Sequence, residues 1–245
     1  MKVMVWNVRG LGSGLAFRTL LNLKQNHNPE VLILLETKVT HVVMESFRVN
    51  LGFSGKLVMN YVGHSGGICM LWMGNISVDL LSYTQSHIDV QVVSHGLKTW
   101  RLTGFYGHPE ATQRHHSWAL LWCLSEVVDL PRLCVGDFNE ILCNSEKEGG
   151  LERSHLLLDN FRKALNYCGL EDLGFLGPQF TWSNRRNDNQ LIQEWLDRGV
   201  STFNWNQMFP FSSVKHLDLW PSDHRSLLIE VANTRRNQGN ESVRR

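Results

Sequence analysis

The sequence predicts an α/β fold, a four-layer α/β sandwich in which two packed, mainly antiparallel sheets are flanked by helices. Three observations lead there. Short β-type segments punctuated by glycine and polar clusters dominate the chain, helical periodicities are set among them in both halves, and no repeat of solenoid period runs through it. Each segment must bury an apolar face, and sheet on sheet with helices outside buries them all.

The first forty residues read strand, loop, helix, strand. Residues 2–8 are an apolar start, glycines at 10, 12 and 14 mark a loop, and Leu15, Leu20, Leu21 and Leu23 follow at helical spacing. Asn28 and Pro29 then separate this helix from a strand at 31–35. From Gly52 to Tyr106 the period shortens, and residues 57–61, 67–72, 76–83, 88–93 and 100–106 read as strands joined in hairpins. Residues 112–128 open polar and then carry Trp118, Leu121, Trp122 and Leu124 at helical spacing until Pro131; 133–135 is the next buried strand. Residues 156–167 repeat the helical spacing with Leu157, Phe161 and Leu165, and Gly169 is a fitting stop. Strands at 180–183, 193–196, 213–216 and 226–231 complete the order.

Composition narrows the class. The chain has 245 residues, 42% hydrophobic and 19% charged, which is ordinary for a globular domain. With no linker visible, a single domain is expected over residues 1–232, followed by a disordered polar tail at 233–245. Arg235, Arg236, Arg244 and Arg245 fall in that tail, where solvation is the plain reading and phosphate contact the alternative. A net charge of +1, from 24 basic and 23 acidic side chains, provides no global field toward a polyanion. Any nucleic-acid contact must be local. Five cysteines without a CxxC pair argue against zinc and against a disulfide framework, and Cys134 reads as a small buried hydrophobe. A reducing nuclear or cytoplasmic setting is therefore expected, not secretion. Asn7 and Arg9 interrupt the opening apolar run before a signal-peptide core forms, and the longest such run, 118–124, is about a third of the ~20 residues a bilayer helix needs. No membrane contact and no obligate protein partner are expected.

Six segments join an apolar strand to a polar or acidic group: Trp6-Asn7, Leu35-Glu36, Phe105-Tyr106, Val135 to Asn139, Trp195 to Arg198, and Ser222-Asp223-His224. Strand ends are where a rigid sheet presents functional groups. Taken singly, each has a plain structural reading: Glu36 as a strand-end acid or cap, Asn7 as a turn former, Asp197 as half of a surface pair with Arg198, His224 as a satisfied histidine. Gly136-Asp137-Phe138-Asn139 is the sharpest of them. Period-two alternation sends Asp137 and Asn139 to one side and Phe138 to the other, and Gly136 permits close backbone approach. Ser222-Asp223-His224 adds a carboxylate beside an imidazole.

In this order and at these spacings the segments resemble the endonuclease/exonuclease/phosphatase superfamily, which contains deoxyribonuclease I, abasic-site endonucleases, inositol polyphosphate 5-phosphatases and sphingomyelinases. The resemblance runs from Lys2 to about Val231. It is closest in style to the endonuclease domain of plant non-LTR (LINE-type) retrotransposons, through "WNVRGLG", "LLETK", "GFYGHP", "GDFNEIL", "FTWSN", "EWLDR" and "SDHRSLL". One loose match to GDFN would say little, whereas seven ordered motifs say much. The resemblance implies a deoxyribonuclease I-like fold and a DNA endonuclease using Mg²⁺, with Mn²⁺ as a substitute. Glu36 is then the principal metal ligand, with Asn7 and Asp223 near the ion, and such hard oxygen donors suit it. Asp137 orients or deprotonates the attacking water, Asn139 and Tyr106 hold the phosphate and that water, and His224, paired with Asp197, stabilises charge on the phosphoryl oxygens. Thr181 and Trp182 stand at a substrate-side motif, with buried packing the alternative for Trp182.

These residue types match the chemistry. A phosphodiester is anionic and repels hydroxide, so a metal must neutralise oxygen charge, a carboxylate must take a proton, and an imidazole backed by a carboxylate must face the developing charge. Two positions depart from the family pattern. Arg9 stands where abasic-site endonucleases often carry a further acid, and Trp195 where the retrotransposon pattern has Arg. Both fit a chain drifting after domestication or decay, and no polymerase motif occurs in the sequence. Two other functions compete: a phosphatase or phosphodiesterase acting on inositol phosphates, nucleotides or lipid headgroups, and a non-catalytic remnant that binds nucleic acid or protein. Nothing basic and continuous near the motifs favours a multiply phosphorylated small substrate, and the intact catalytic set argues against a remnant. Of nine tryptophans, Trp6, Trp72, Trp100, Trp118 and Trp122 are expected in the core, and Trp205 and Trp220 are the candidates for the surface.

Overall fold

Alternation along the strands decides the layers. In β1 (Lys2–Asn7), Val3 and Val5 face one way and Met4 and Trp6 the other, and all four are buried, so helices or a second sheet must cover each face. The computed structural model describes residues 1–61, 66–94, 98–218 and 221–234. After β1 come α1 (Gly14–His27), β2 (Val31–Leu35), α2 (His41–Leu51), β3 (Gly55–Met59), β4 (Ile68–Trp72), β5 (Ile76–Thr84), β6 (His87–Ser94) and β7 (Trp100–Tyr106). The second half runs α3 (Arg114–Val127), β8 (Arg132–Asp137), β9 (Lys147–Glu148), α4 (His155–Tyr167), β10 (Leu170–Asp172), β11 (Trp182–Ser183) and β12 (Gln193–Glu194). It closes with β13 (Asp197–Thr202), α5 (Phe203–Met208), β14 (Ser213–His216) and β15 (Leu227–Glu230).

One six-stranded sheet has the order β14-β15-β1-β2-β4-β3 and the other β10-β13-β8-β7-β6-β5. Each holds a single parallel pair at its centre, β1 with β2 and β7 with β8, and antiparallel neighbours elsewhere. Val3, Val5, Ile33 and Met70 of the first sheet meet Val90, Trp100, Leu102 and Val135 of the second in one core. The opposite faces carry helices: Met4, Trp6, Leu32 and Leu34 pack on Leu20 and Met44, while Phe105, Cys134 and Val200 pack on Trp118, Leu121, Phe161 and Leu165. The layers are thus α1 and α2, sheet, sheet, α3 and α4, the four-layer sandwich expected from the sequence. A small third sheet, β11-β12-β9, sits beside the main pair.

Several local expectations differ from the structure. Residues 195–198 end no strand; Asp197 instead opens β13. The helix α2 and the strand β10 were not expected. Trp205 is fully buried, packed edge-on to Trp100 at 6.0 Å and against Phe209 at 5.1 Å, because α5 turns this ring into the inter-sheet core and leaves Phe203 exposed. Trp122, expected in the core, is 41% exposed on the outer side of α3. Trp220 and the basic tail from 235 onward lie outside the described residues. Among the described residues, no helix is long and apolar enough to cross a membrane.

Candidate active site

Strand direction brings the site together. Parallel pairing of β1 with β2 sets Asn7 opposite Leu35 at the carboxyl ends of both strands, and Glu36 is the next residue. Parallel pairing of β7 with β8 likewise sets Tyr106 opposite Asp137. Because β13 runs antiparallel to β8, Asp197 begins its strand opposite Asp137. His224 bridges to Trp182 just before β15, the antiparallel neighbour of β1. Four strand ends and two strand starts therefore meet at one edge of the stacked sheets.

Hydrogen bonds join the two sheets there. The Asn7 side-chain NH₂ donates to Glu36 Oε1 at 3.1 Å and to Asp137 Oδ2 at 3.0 Å, and the Tyr106 hydroxyl donates to Glu36 Oε1 at 2.9 Å. Asp137 Oδ1 accepts the Asn139 amide N–H at 2.8 Å, and the Asn139 side chain donates to Gly107 O at 2.8 Å. On the far side, His224 Nδ1 lies 2.8 Å from Asp197 Oδ2, and His224 Nε2 lies 3.8 Å from Asp137 Oδ2. Thr181, wholly buried, accepts the backbone N–H groups of Leu196 and Asp197 on its hydroxyl at 3.0 and 2.9 Å, which fixes where Asp197 enters its strand. Seven of the eight residues expected from the sequence are thereby linked. The eighth, Asp223, turns away: its Oδ2 takes the Arg9 guanidinium and, at 3.1 Å, the Trp182 indole N–H.

Burial and charge set the protonation states. For Glu36, burial works against ionisation, but donors on Asn7, Tyr106 and Lys38 outweigh it and hold the carboxyl below its ordinary range. The Asp137 carboxyl is pushed up to about 7, first by burial and then by the neighbouring Asp197 charge. Burial alone would lower His224, yet the Asp197 and Asp137 charges raise it to about 9, so the ring is an imidazolium at neutral pH. Burial, with the Glu36 and Asp137 charges, raises the Tyr106 phenol and keeps it a donor.

The backbone is strained where the site needs it. Arg9, Glu36, Lys38 and Asn139 all have left-handed conformations, with φ of 48°, 50°, 51° and 56°, a region that costs a side-chain-bearing residue about 1–3 kcal/mol. Asn139 reaches the Asp137 side through this turn and not through strand alternation. Gly136 is required next door, since a Cβ there would lie 1.9 Å from Phe105 O.

These groups floor a pocket of about 550 Å³ lined by Glu36, Tyr106, Asn139, Trp182 and His224. Five cationic side chains, Arg9, Lys38, Arg114, Lys147 and Arg153, line it as well. Sequence inspection missed this collection because the five come from separate segments and form no basic run. Asp137, Asp197 and His224 each offer a ligand atom within 4.8 Å of the others. The nearer Asp197 oxygen is already engaged by His224 Nδ1, however, so these three are arranged as an imidazole held between two carboxylates as well as a candidate cation site. Glu36 fits Mg²⁺ on firmer grounds: it is an ionised hard oxygen donor on the pocket wall, and Lys38 Nζ, 3.2 Å from its Oε2, marks the position a cation takes.

A family model described as Endonuclease/Exonuclease/phosphatase family matches residues 4–224. Comparison with curated protein sequences finds no match. Among solved structures, the chain is similar to the 3′ phosphatase NExo from Neisseria bound to a product DNA hairpin, at 17% identity and a TM-score of 0.71, covering 94% of this chain and 99% of that one. It is similar to the endonuclease domain of TRAS1, a telomere-specific non-LTR retrotransposon, at 16% identity and 0.66, covering 94% and 97%. An AP endonuclease from Archaeoglobus fulgidus gives 15% and 0.72, covering 94% and 99%. At such identities the likeness speaks for the fold alone. The family model, by contrast, matches the sequence itself from β1 to His224, and the chain belongs to the endonuclease/exonuclease/phosphatase family.

Proposed function

We propose that the chain is a magnesium-dependent phosphodiesterase that cleaves DNA internally, of the kind found in non-LTR retrotransposons. The observation that carries this reading is the line of contacts from Glu36 through Asn7 and Asp137 to His224 and Asp197, of which Glu36 and His224 line one pocket. The seven ordered motifs support the retrotransposon kinship.

Glu36 would hold the Mg²⁺, which when bound neutralises phosphoryl-oxygen charge. Asn7 and Tyr106 keep the Glu36 carboxylate oriented and ionised. Asp137, with a proton affinity near neutrality, accepts the proton of the attacking water as that oxygen bonds to phosphorus and the bond to the departing sugar oxygen breaks, the latter leaving to be protonated from solvent. The Asn139 amide N–H fixes the carboxylate orientation for that transfer. His224 holds its Nε2 proton toward the same space and donates to the phosphoryl oxygen on which charge develops, while Asp197 keeps the ring charged and aligned.

The test is nicking of supercoiled plasmid with and without Mg²⁺, beside an inositol phosphate as alternative substrate. Open circles should appear only with the metal, and inositol phosphate should persist unchanged. Glu36→Gln should lower the rate at least about 100-fold, since even groups behind a metal ligand are worth about 10–100-fold. Undiminished nicking in excess EDTA, or turnover of the inositol phosphate alone, rejects the reading.

A further inference from the structure

One wall of the pocket is an alternating line of charges that the reaction above leaves unused. Arg114 Nη1 lies 2.6 Å from Glu140 Oε2, Arg153 Nε lies 2.8 Å from Glu140 Oε1, and Arg153 Nη2 lies 2.6 Å from Glu194 Oε2. Lys147 closes the line on Glu194 Oε1. Three cations thus surround two carboxylates, and no side chain in the line is more than 19% exposed. Burying ion pairs contributes little to stability that apolar packing would not, and here one positive charge is left over beside an active site.

The donors are unequally engaged. Arg114 is an anchor, its remaining nitrogens donating to His108 O and Pro109 O. Lys147 Nζ has only Glu194 as partner among the described residues, and Arg153 Nη1 has none. Both side chains line the pocket. Their backbone is fixed in advance: Lys147 pairs with Glu194 across β9 and β12, and the Gly149-Gly150 turn packs so closely on residues 191–192 that a Cβ on Gly149 would lie 2.0 Å from Leu191 O. Preorganised cationic donors with unfilled hydrogens are what an anionic oxygen binds.

We propose that Lys147 and Arg153 form a subsite for a second phosphate group on the substrate, beside the phosphodiester being cleaved; this rests on the phosphodiesterase reading above. The phosphate can be the next internucleotide link of a strand or a terminal monophosphate, since both offer the same oxygens.

Four thymidine substrates separate the cases: TpT with one phosphate, TpTpT with a flanking diester, and pTpT and TpTp with terminal phosphates. For the wild-type protein a second phosphate should raise kcat/KM over TpT by about ten- to a hundredfold, mostly through KM, the worth of a hydrogen bond to a charged group. TpTpT against the other two identifies the source. In Lys147→Gln, where Glu194 keeps its Arg153 partner, that gain should fall to within about threefold, and Lys147→Arg should restore it. A neutral methylphosphonate at the flanking position of TpTpT should cost the wild-type protein the same gain, which keeps the test independent of any variant that folds poorly. Plasmid nicking with no gain from a second phosphate, or a gain untouched by Lys147→Gln and by methylphosphonate, overturns the subsite alone. Failure to cleave the plasmid or any of the four substrates overturns the phosphodiesterase reading and the subsite with it.

Discussion

Burial acts on Asp137 and His224 with opposite sign, raising the first and lowering the second toward their neutral forms, and Asp197 decides the outcome. Its charge raises both, which leaves His224 protonated and Asp137 poised near neutrality. Replacing Asp197 by Asn should therefore release the His224 proton at lower pH. If the imidazolium is the active form, the alkaline limb of the pH–rate profile, set near 9 by His224, should move downward in Asp197→Asn. Turnover should drop by roughly 10² to 10⁴-fold, the usual contribution of a positioned acid-base group. His224→Ala should cost at least as much, and the double variant barely more than His224→Ala, because groups acting as a unit are non-additive. Single-turnover nicking across the pH range measures all three. Multiplicative losses would falsify the pairing, and full activity in His224→Ala would move the catalytic centre elsewhere.

At the scale of elements, β8 carries Asp137 only because Gly136 lets it approach β7. With φ of 150° and a Cβ that would meet Phe105 O, Gly136→Ala should lower stability by about 3 kcal/mol or more, read from the midpoint of urea unfolding, and should cut activity further by shifting Asp137. A midpoint equal to the wild type would mean that β7 and β8 separate at no cost. Of the site-bearing strands, β1, β2 and β8 were legible because VMVW, VLILL and LCV are short apolar runs, as strands buried on both faces carry, and β7 because Trp100 to Thr103 alternate apolar and polar. The strand β13 was not, since its sequence DRGVST buries Arg198 through ion pairs with Glu146 and Asp172 and so shows no apolar period. Nor was α2, whose Val42, Val43 and Val49 face solvent and blur its apolar stripe. Glu36, Asp137 and His224 stood out through local motifs, whereas the Arg9 contact to Asp223 spans 214 residues and leaves no local trace. The cationic wall was invisible for the same reason.

The two sheets meet at the proposed metal site, because Glu36 comes from one sheet and Asp137 and Asp197 from the other, with Asn7 bonded to both sides and the Trp6 indole N–H donating to His224 O. A cation held there ties the sheets together and binds only the folded chain. Mg²⁺ at about a hundred times its dissociation constant should then stabilise the fold by about 2.7 kcal/mol. For a domain of this size that is a rise in Tm of roughly 5–10 °C over the value in EDTA, measurable by calorimetry without any substrate. Glu36→Gln should abolish the rise while leaving the metal-free Tm close to the wild type, since the amide oxygen still accepts from Asn7 and Tyr106. The same measurement separates the two candidate cation sites. If the ion sat instead among Asp137, Asp197 and His224, the rise would survive in Glu36→Gln and disappear in His224→Ala. The ionised Glu36 beside Lys38 and the protonated His224 both favour the first outcome, because a divalent cation displaces a lysine from a carboxylate more readily than it displaces a proton from an imidazolium held between two acids.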